Sequence, residues 1–254
     1  MTVEILTIAC LKDNYAFVVH NANSHQTLLV DAPEAAPIKA ALDARGWQLT
    51  DVFLTHHHWD HVNGLAELQQ DGPLTIHGAA SDAERLPPLD HSYAEGAAQI
   101  IGLPAHIYDV PGHTIGHIAL YLPDQNALFS ADTLMAMGCG RLFEGTPAQM
   151  HASLQKLAAL PQDTWIYSGH EYTHANASFA QTLEPNNKDL RARLSDIHKL
   201  RAKDQPTVPS QLREELNTNP FLRPHSPEIQ KNIHLENHPA EAFFAEIRRL
   251  KDAF

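Results

Sequence analysis

Cysteine is scarce: Cys10 and Cys139 are the only two in 254 residues, too few for the disulfide framework of a small secreted domain. That scarcity predicts a reducing, cytoplasmic setting. Long apolar runs are missing as well. No stretch reaches the roughly 18 residues needed to span a bilayer. The opening Met1-Thr2-Val3-Glu4-Ile5-Leu6 reads as the start of a strand and lacks the basic, apolar character of a signal segment. No membrane partner is expected. Positive charge is the third shortage, since 18 Lys and Arg against 30 Asp and Glu leave a formal charge of −12. A protein that grips a phosphate polymer gains affinity from a basic surface that releases counterions, so nucleic acid is not an expected partner. A small anionic ligand stays compatible, because a few local Arg or Lys residues suffice to hold one. At 43% hydrophobic residues the chain can build a substantial core, either as one large domain or as a domain with a smaller appendage.

Histidine is what the chain has in excess, 18 in all. The run Thr55-His56-His57-His58-Trp59-Asp60-His61 follows the apolar Val52-Phe53-Leu54 and concentrates four imidazoles and a carboxylate. If the strand continues extended to His58, side chains alternate, so His56 and His58 point one way and His57 the other. Two imidazoles on one face can share an ion. Asp60 and His61 then add a carboxylate and a third imidazole before a helix that begins around Gly64 and Leu65-Ala66-Glu67-Leu68. One loop of this kind can serve two neighbouring metal ions. A histidine tag would sit at a terminus and lack the interleaved Asp60. His20, His25, His91, His225 and His238 lie beside polar or Pro-containing segments and are expected at the surface.

The first part of the chain alternates strands and helices. Residues 3–8, 15–20 and 27–31 read as a meander separated by turn residues such as Asp13-Asn14. Residues 38–45 read as a helix capped by Gly46. Strands follow at 74–77, 107–110, 118–122, 127–130 and 165–167. Thr146-Pro147-Ala148-Gln149 carries the capping-box pattern of a helix start. Beyond His170 the strand signal fades, and helical spacing is expected over 175–183, 190–203, 211–216 and 240–252. In the last of these Phe243, Ile247, Leu250 and Phe254 form the expected core stripe, with Arg248 and Lys251 three apart on a neighbouring face, within reach of one ligand.

Three further candidate ligands each lie at the carboxyl end of a short apolar strand: His113 after 107–110, Asp132 after 127–131 and His170 after 165–169. Strand ends along one edge of a layered α/β fold converge on one crevice. Together with the 56–61 run they complete the ligand set for two metal ions.

His56-x-His58-x-Asp60-His61 with His113, Asp132 and His170 resembles the metallo-β-lactamase superfamily, and the flanking sequence resembles the glyoxalase II family of hydroxyacylglutathione hydrolases. The resemblance rests on Thr55 to His61, Pro111-Gly112-His113-Thr114-x-Gly116-His117, Asp132-Thr133-Leu134, Gly138 to Thr146, Gly169-His170-Glu171-Tyr172-Thr173 and Asn219-Pro220-Phe221-Leu222-Arg223. It implies a four-layer αββα sandwich, a metal-binding catalytic domain over residues 1–170, followed by a helical glutathione-binding domain over residues 171–254. It implies two divalent ions, zinc first, with iron and manganese suited to the same donors. His56, His58 and His113 would bind one, Asp60, His61 and His170 the other, and Asp132 both, with a bridging hydroxide held beside Asp60 and Asp132 as nucleophile. Glutathione would be held by Arg141, Phe143, Tyr172, Arg248 and Lys251. Arg141 and Phe143 stand where many relatives have lysine and tyrosine, which keeps the charge and loses a phenolic hydroxyl.

The implied reaction is hydrolysis of an S-(2-hydroxyacyl)glutathione, typically S-D-lactoylglutathione, to glutathione and D-lactate in methylglyoxal detoxification, by a monomer. A one-iron glutathione persulfide dioxygenase is the nearest enzymatic alternative. A β-lactamase, an RNA-processing hydrolase or a silent metal-binding or electron-transfer module on the same fold are the others; the unaltered first-loop ligands and the helical tail argue against them.

Overall fold

Runs rich in β-branched and aromatic residues open the chain as an antiparallel meander, β1 (Val3–Cys10), β2 (Asn14–Asn21) and β3 (Gln26–Val30). The computed structural model describes residues 3–254, so Met1 and Thr2 of the expected opening strand lie outside the described residues. The meander belongs to the first of two units, which takes the chain up to Asp109 together with Gly116–Ser130; the second takes Val110–Ile115 and Ala131–Phe254.

In the first unit, β3 continues through helix α1 (Ala35–Arg45) into β4 (Asp51–Phe53), which lies parallel to it. Helix α1 starts three residues before the sequence suggests. Pro37 is its third residue, a first-turn position where the missing N–H would have no intrahelical partner. Gly46 closes it in the left-handed conformation, φ 63°, as expected of a glycine cap. The one-turn helices α2 (Trp59–Val62) and α3 (Leu65–Leu68) then lead to the parallel β5 (Thr75–Ala79) and to β6 (His91–Tyr93). A second sheet is the antiparallel run β7 (Gly96–Ile100), β8 (Leu103–Asp109), β9 (Ile118–Leu122) and β10 (Ala127–Ala131). The two sheets meet through apolar side chains such as Phe17 and Phe129, whose rings are 5.7 Å apart. β6 and β7 escape sequence reading because His-Ser-Tyr and Gly-Ala-Ala-Gln carry little β-branched or alternating signal.

The second unit contains the hairpin β11 (Leu134–Met135) and β12 (Gly138–Cys139), helix α4 (Pro147–Ala158), and β13 (Trp165–Ser168), which is paired with β14 (Ser210–Gln211). The Thr146–Gln149 capping box forms in full. Helices α5 (Thr173–Leu183), α6 (Lys188–Arg201), α7 (Leu212–Thr218), α8 (Pro227–Asn232) and α9 (Ala240–Ala253) make up its helical part. Met137, Ala177, Ala180, Leu190, Leu194 and Ile197 form one of its cores. The stripe expected on α9 is corrected at one end. Phe243, Phe244 and Ile247 are buried, whereas Phe254 lies beyond the last helical turn and is 63% exposed. Phe244 packs instead against Phe221, centroids 5.6 Å apart. No helix among the described residues is long and apolar enough to cross a membrane.

Candidate metal centre and basic cluster

Because β3 and β4 run parallel, the residues that follow them share one carboxyl edge. Asp31 follows β3, and Thr55 to His61 follow β4. Asp31 ends the β4 ladder by substituting for it: its Oδ1 accepts the Thr55 N–H at 2.9 Å. Its Oδ2 accepts the Thr55 hydroxyl at 2.9 Å and lies 2.8 Å from His61 Nδ1. A carboxylate accepts, so His61 Nδ1 carries the proton. Thr55 donates its hydroxyl hydrogen to Asp31, so its oxygen, 3.0 Å from His56 Nδ1, accepts from that ring too. In both neutral rings the lone pair is thereby placed on Nε2, the tautomer that a metal ligand needs.

His57 turns the opposite way, as alternation requires, with Nδ1 2.9 Å from the buried Asp82 Oδ2. Asn14 donates to Asp60 Oδ2 at 3.0 Å and to its carbonyl at 3.1 Å, fixing that carboxylate. Ligand atoms of His56 and His58, of His56 and His61, and of Asp60 and His61 lie within 4.8 Å of one another. His117, expected not to be a ligand, stacks on His56 with ring centroids 4.6 Å apart.

The second unit carries His113, Asp132 and His170, all buried. His113 Nδ1 is 2.8 Å from the Arg141 carbonyl. A carbonyl only accepts, so this ring also presents its lone pair on Nε2. That atom is 3.4 Å from Asp132 Oδ2, and His170 Nε2 is 3.3 Å from the same oxygen. Both separations exceed the usual N–H···O distance of about 2.9–3.0 Å. Two acceptor atoms facing each other repel, and a cation between them converts the repulsion to attraction. Gly140 permits the arrangement, because a Cβ there would stand 2.0 Å from the Asp132 carbonyl oxygen. In each unit the donor types, and the tautomers of His56, His61 and His113, fit a divalent ion.

The five expected substrate contacts all belong to the second unit. Phe143 and Tyr172 are exposed and flank the ligands: the Phe143 ring meets His113 edge-on at 5.2 Å, and Tyr172 stacks on His170 at 4.7 Å. Arg248 is buried; its Nη1 donates to the Cys139 carbonyl at 2.9 Å and its Nη2 to Asp252 Oδ1 at 2.7 Å. Arg141 Nε is 3.8 Å from the same Asp252 oxygen. Lys251 lies over the Phe179 and Phe254 rings at 5.5 and 5.3 Å. Burial, then the charges of Arg248 and Arg141, push its pKa below the ordinary 10.5. Three cations with one nearby carboxylate form a local positive field on an acidic chain.

Sequence reading missed Asp31, Asn14 and Asp82, which act through the ligand loop. Asp31 did offer a signal, since it sits at a strand end as Asp132 does. Its removal has a defined cost. Asp31→Ala is expected to weaken metal retention about 10–100-fold, the usual effect of losing an outer partner of a ligating histidine, measured as metal kept per chain after dialysis against a chelator. Retention equal to that of the unaltered chain would show that other contacts orient His56 and His61.

The model of the metallo-β-lactamase superfamily matches residues 13–170, and that of the hydroxyacylglutathione hydrolase C-terminus matches residues 171–254. A hydroxyacylglutathione hydrolase of Ruegeria pomeroyi is 55% identical over 255 residues, covering 100% of both chains. Among solved structures, the BLEG-1 B3 metallo-β-lactamase superposes with a TM-score of 0.66 at 20% identity, over 86% of this chain and 99% of that one. TTHA1623, solved in a di-iron-bound form, superposes with a TM-score of 0.57 at 27% identity, over 66% of this chain and 92% of that one.

Proposed function

The chain belongs to the hydroxyacylglutathione hydrolases of the metallo-β-lactamase superfamily, and from that premise we propose how its own residues carry out the reaction. It is a hydrolase of S-(2-hydroxyacyl)glutathione thioesters. The match of residues 171–254 to the hydrolase C-terminus favours this activity over a persulfide dioxygenase or a silent metal-binding module. S-D-lactoylglutathione is the proposed substrate, cleaved to glutathione and D-lactate, with methylglyoxal detoxification as the role.

His56, His58 and His113 would hold one ion, Asp60, His61 and His170 a second, and Asp132 both. Zinc is the proposed metal, and iron and manganese suit the same donors. When bound, such a pair supplies a water acidified toward a pKa of about 7 and positive charge for the developing oxyanion. The observation that carries this reading is the single Asp132 oxygen 3.4 and 3.3 Å from two imidazole nitrogens. Asp60, pinned by Asn14, would orient the nucleophile beside Asp132 and act only secondarily as a proton acceptor. The departing thiolate is a good leaving group, so no protein acid is needed at sulfur. Residues 1–170 would supply the metal ligands and residues 171–254 a helical glutathione-binding domain, a division supported by where the two family models meet.

Glutathione carries two carboxylates, and Arg141, Arg248 and Lys251 offer charge-assisted contacts that hold the thioester in place. Phe143 and Tyr172 would line its path beside the ligands. A pH dependence follows. Lys251 binds a carboxylate only while protonated, and its pKa lies below 10.5. Binding is therefore intact at low pH and is lost as pH rises through that depressed value. KM is expected to climb at a lower pH than for an ordinary lysine, and Lys251→Arg to move the rise to higher pH, as measured by initial rates of glutathione release. A KM flat through pH 10.5 would remove Lys251 from the substrate contacts.

A reducing cytoplasm is the proposed setting, with a single chain as the working unit. The free, buried Cys10 and Cys139 support the setting. Burial holds their thiols at about 12 and about 11, so neither is reactive near neutrality. The whole assignment is tested by elemental analysis alongside glutathione release from S-D-lactoylglutathione. About two ions per chain with rapid release are expected; a single iron with oxygen uptake on glutathione persulfide would overturn it.

A further inference from the structure

Helices α5 and α6 bring together two histidines that are neither candidate ligands nor expected substrate contacts. His174 and His198 are both exposed. Their Nε2 atoms are 2.9 Å apart, and the ring centroids are separated by 4.8 Å with planes inclined at 51°. We propose that this pair is a further metal site, taking one Cu²⁺ or Ni²⁺ ion with solvent completing the coordination.

Without metal, one Nε2–H donates to the other Nε2 across this separation, and an ion bound by both rings takes the place of that proton. Imidazole nitrogens lie about 2.0–2.1 Å from a first-row metal, so two of them 2.9 Å apart subtend an angle of about 90° at a shared ion. That is the cis angle of square-planar or octahedral copper and nickel. A tetrahedral zinc site opens the angle to about 109° and would need the nitrogens roughly 3.3 Å apart. Copper also stands at the top of the affinity order for nitrogen donors.

The surroundings are compatible with a cation. Arg201, one turn beyond His198, faces Glu171 at 3.6 Å, and Lys199 pairs with Asp196 at 2.8 Å. Both of these positive charges are thus offset by a carboxylate. Glu171 is itself held by the Thr207 N–H at 2.8 Å and hydroxyl at 2.6 Å, which anchors the carboxylate of that ion pair. An ion bound by both rings would clip α5 to α6, two helices that already share the core around Ala177, Ala180 and Leu194.

The test uses the metal-loaded enzyme, desalted and then titrated with Cu²⁺, with copper and the resident metal both counted by elemental analysis. One additional copper per chain is expected, with no loss of resident metal, and an electron paramagnetic resonance spectrum showing coupling to two imidazole nitrogens. In His198→Ala and in His174→Gln the extra copper is expected to bind at least about tenfold more weakly, no less than the loss of a mere outer-shell partner costs. Thioester hydrolysis of both variants without added copper should equal that of the parent. Copper bound equally tightly by the variants, copper taken up only by displacing resident metal, or no uptake at all would each overturn the proposal. Hydrolysis lost together with copper uptake would overturn the placement of this pair outside the catalytic machinery. The thioester-hydrolase reading stands or falls separately, on hydrolysis by the parent chain.

Discussion

Asp132→Ala is expected to lose metal and thioester hydrolysis together. Asp132 Oδ2 lies 3.4 and 3.3 Å from the Nε2 atoms of His113 and His170, and at least the first of these carries a lone pair, because His113 Nδ1 faces a carbonyl. The carboxylate is the only negative charge in that triad. Removing it leaves two neutral imidazoles, which bind a divalent ion far less well than a charged set does. The loss in kcat is expected to reach at least about 10²–10³, the size of one preorganised electrostatic stabiliser, and metal per chain should fall in parallel. Asp132→Asn keeps the shape and loses the charge, so it should fall between. Wild-type-like metal content and turnover in Asp132→Ala would refute the bridging role.

Glu215→Ala is expected to be the most destabilising single change, about 3–5 kcal/mol, since it removes one partner of a buried ion pair and leaves the other charge stranded. Glu215 is fully buried and receives the guanidinium of Arg193, whose side chain is only 10% exposed. The same carboxylate accepts the Met137 N–H at 2.8 Å, the Ser210 hydroxyl at 2.6 Å and the Asn219 amide at 3.1 Å. Asn219 in turn donates to the carbonyls of Met135 and Gly138 at 3.2 and 3.0 Å. The β11–β12 hairpin between Asp132 and Arg141 is therefore braced from α7 and the turn after it. Urea unfolding should show the loss in midpoint, and Glu215→Gln, which keeps the shape and several of these bonds, should lose less. Glu215→Ala should also raise KM, because Gly140 and Arg141 lead directly from the braced hairpin. A change below about 1 kcal/mol would place the brace elsewhere.

The histidine run was readable in the chain because metal chemistry constrains local spacing: His56 and His58 two apart on an extended segment, His57 turned the opposite way, Asp60 and His61 on the next turn. Helix starts were readable where the signal is local, as with the Thr146–Gln149 capping box. The polar β6 and the Gly-Ala-rich β7 were not, because their pairing comes from neighbouring strands and leaves little mark in their own residues. Nor did spacing alone place Arg248, whose guanidinium is buried against the Cys139 carbonyl 109 positions away.

The residues themselves determined which chemistry this chain can perform: nitrogen and carboxylate donors at strand ends, fewer Lys and Arg than Asp and Glu, and no apolar run long enough for a helix to span a bilayer. Tertiary structure alone decided which nitrogen of each ring carries the lone pair, because a tautomer depends on its hydrogen-bond partner. For His56 and His61 that partner system centres on Asp31, and for His113 it is a carbonyl 28 positions along the chain. No local pattern encodes a partner that only folding brings within 3 Å.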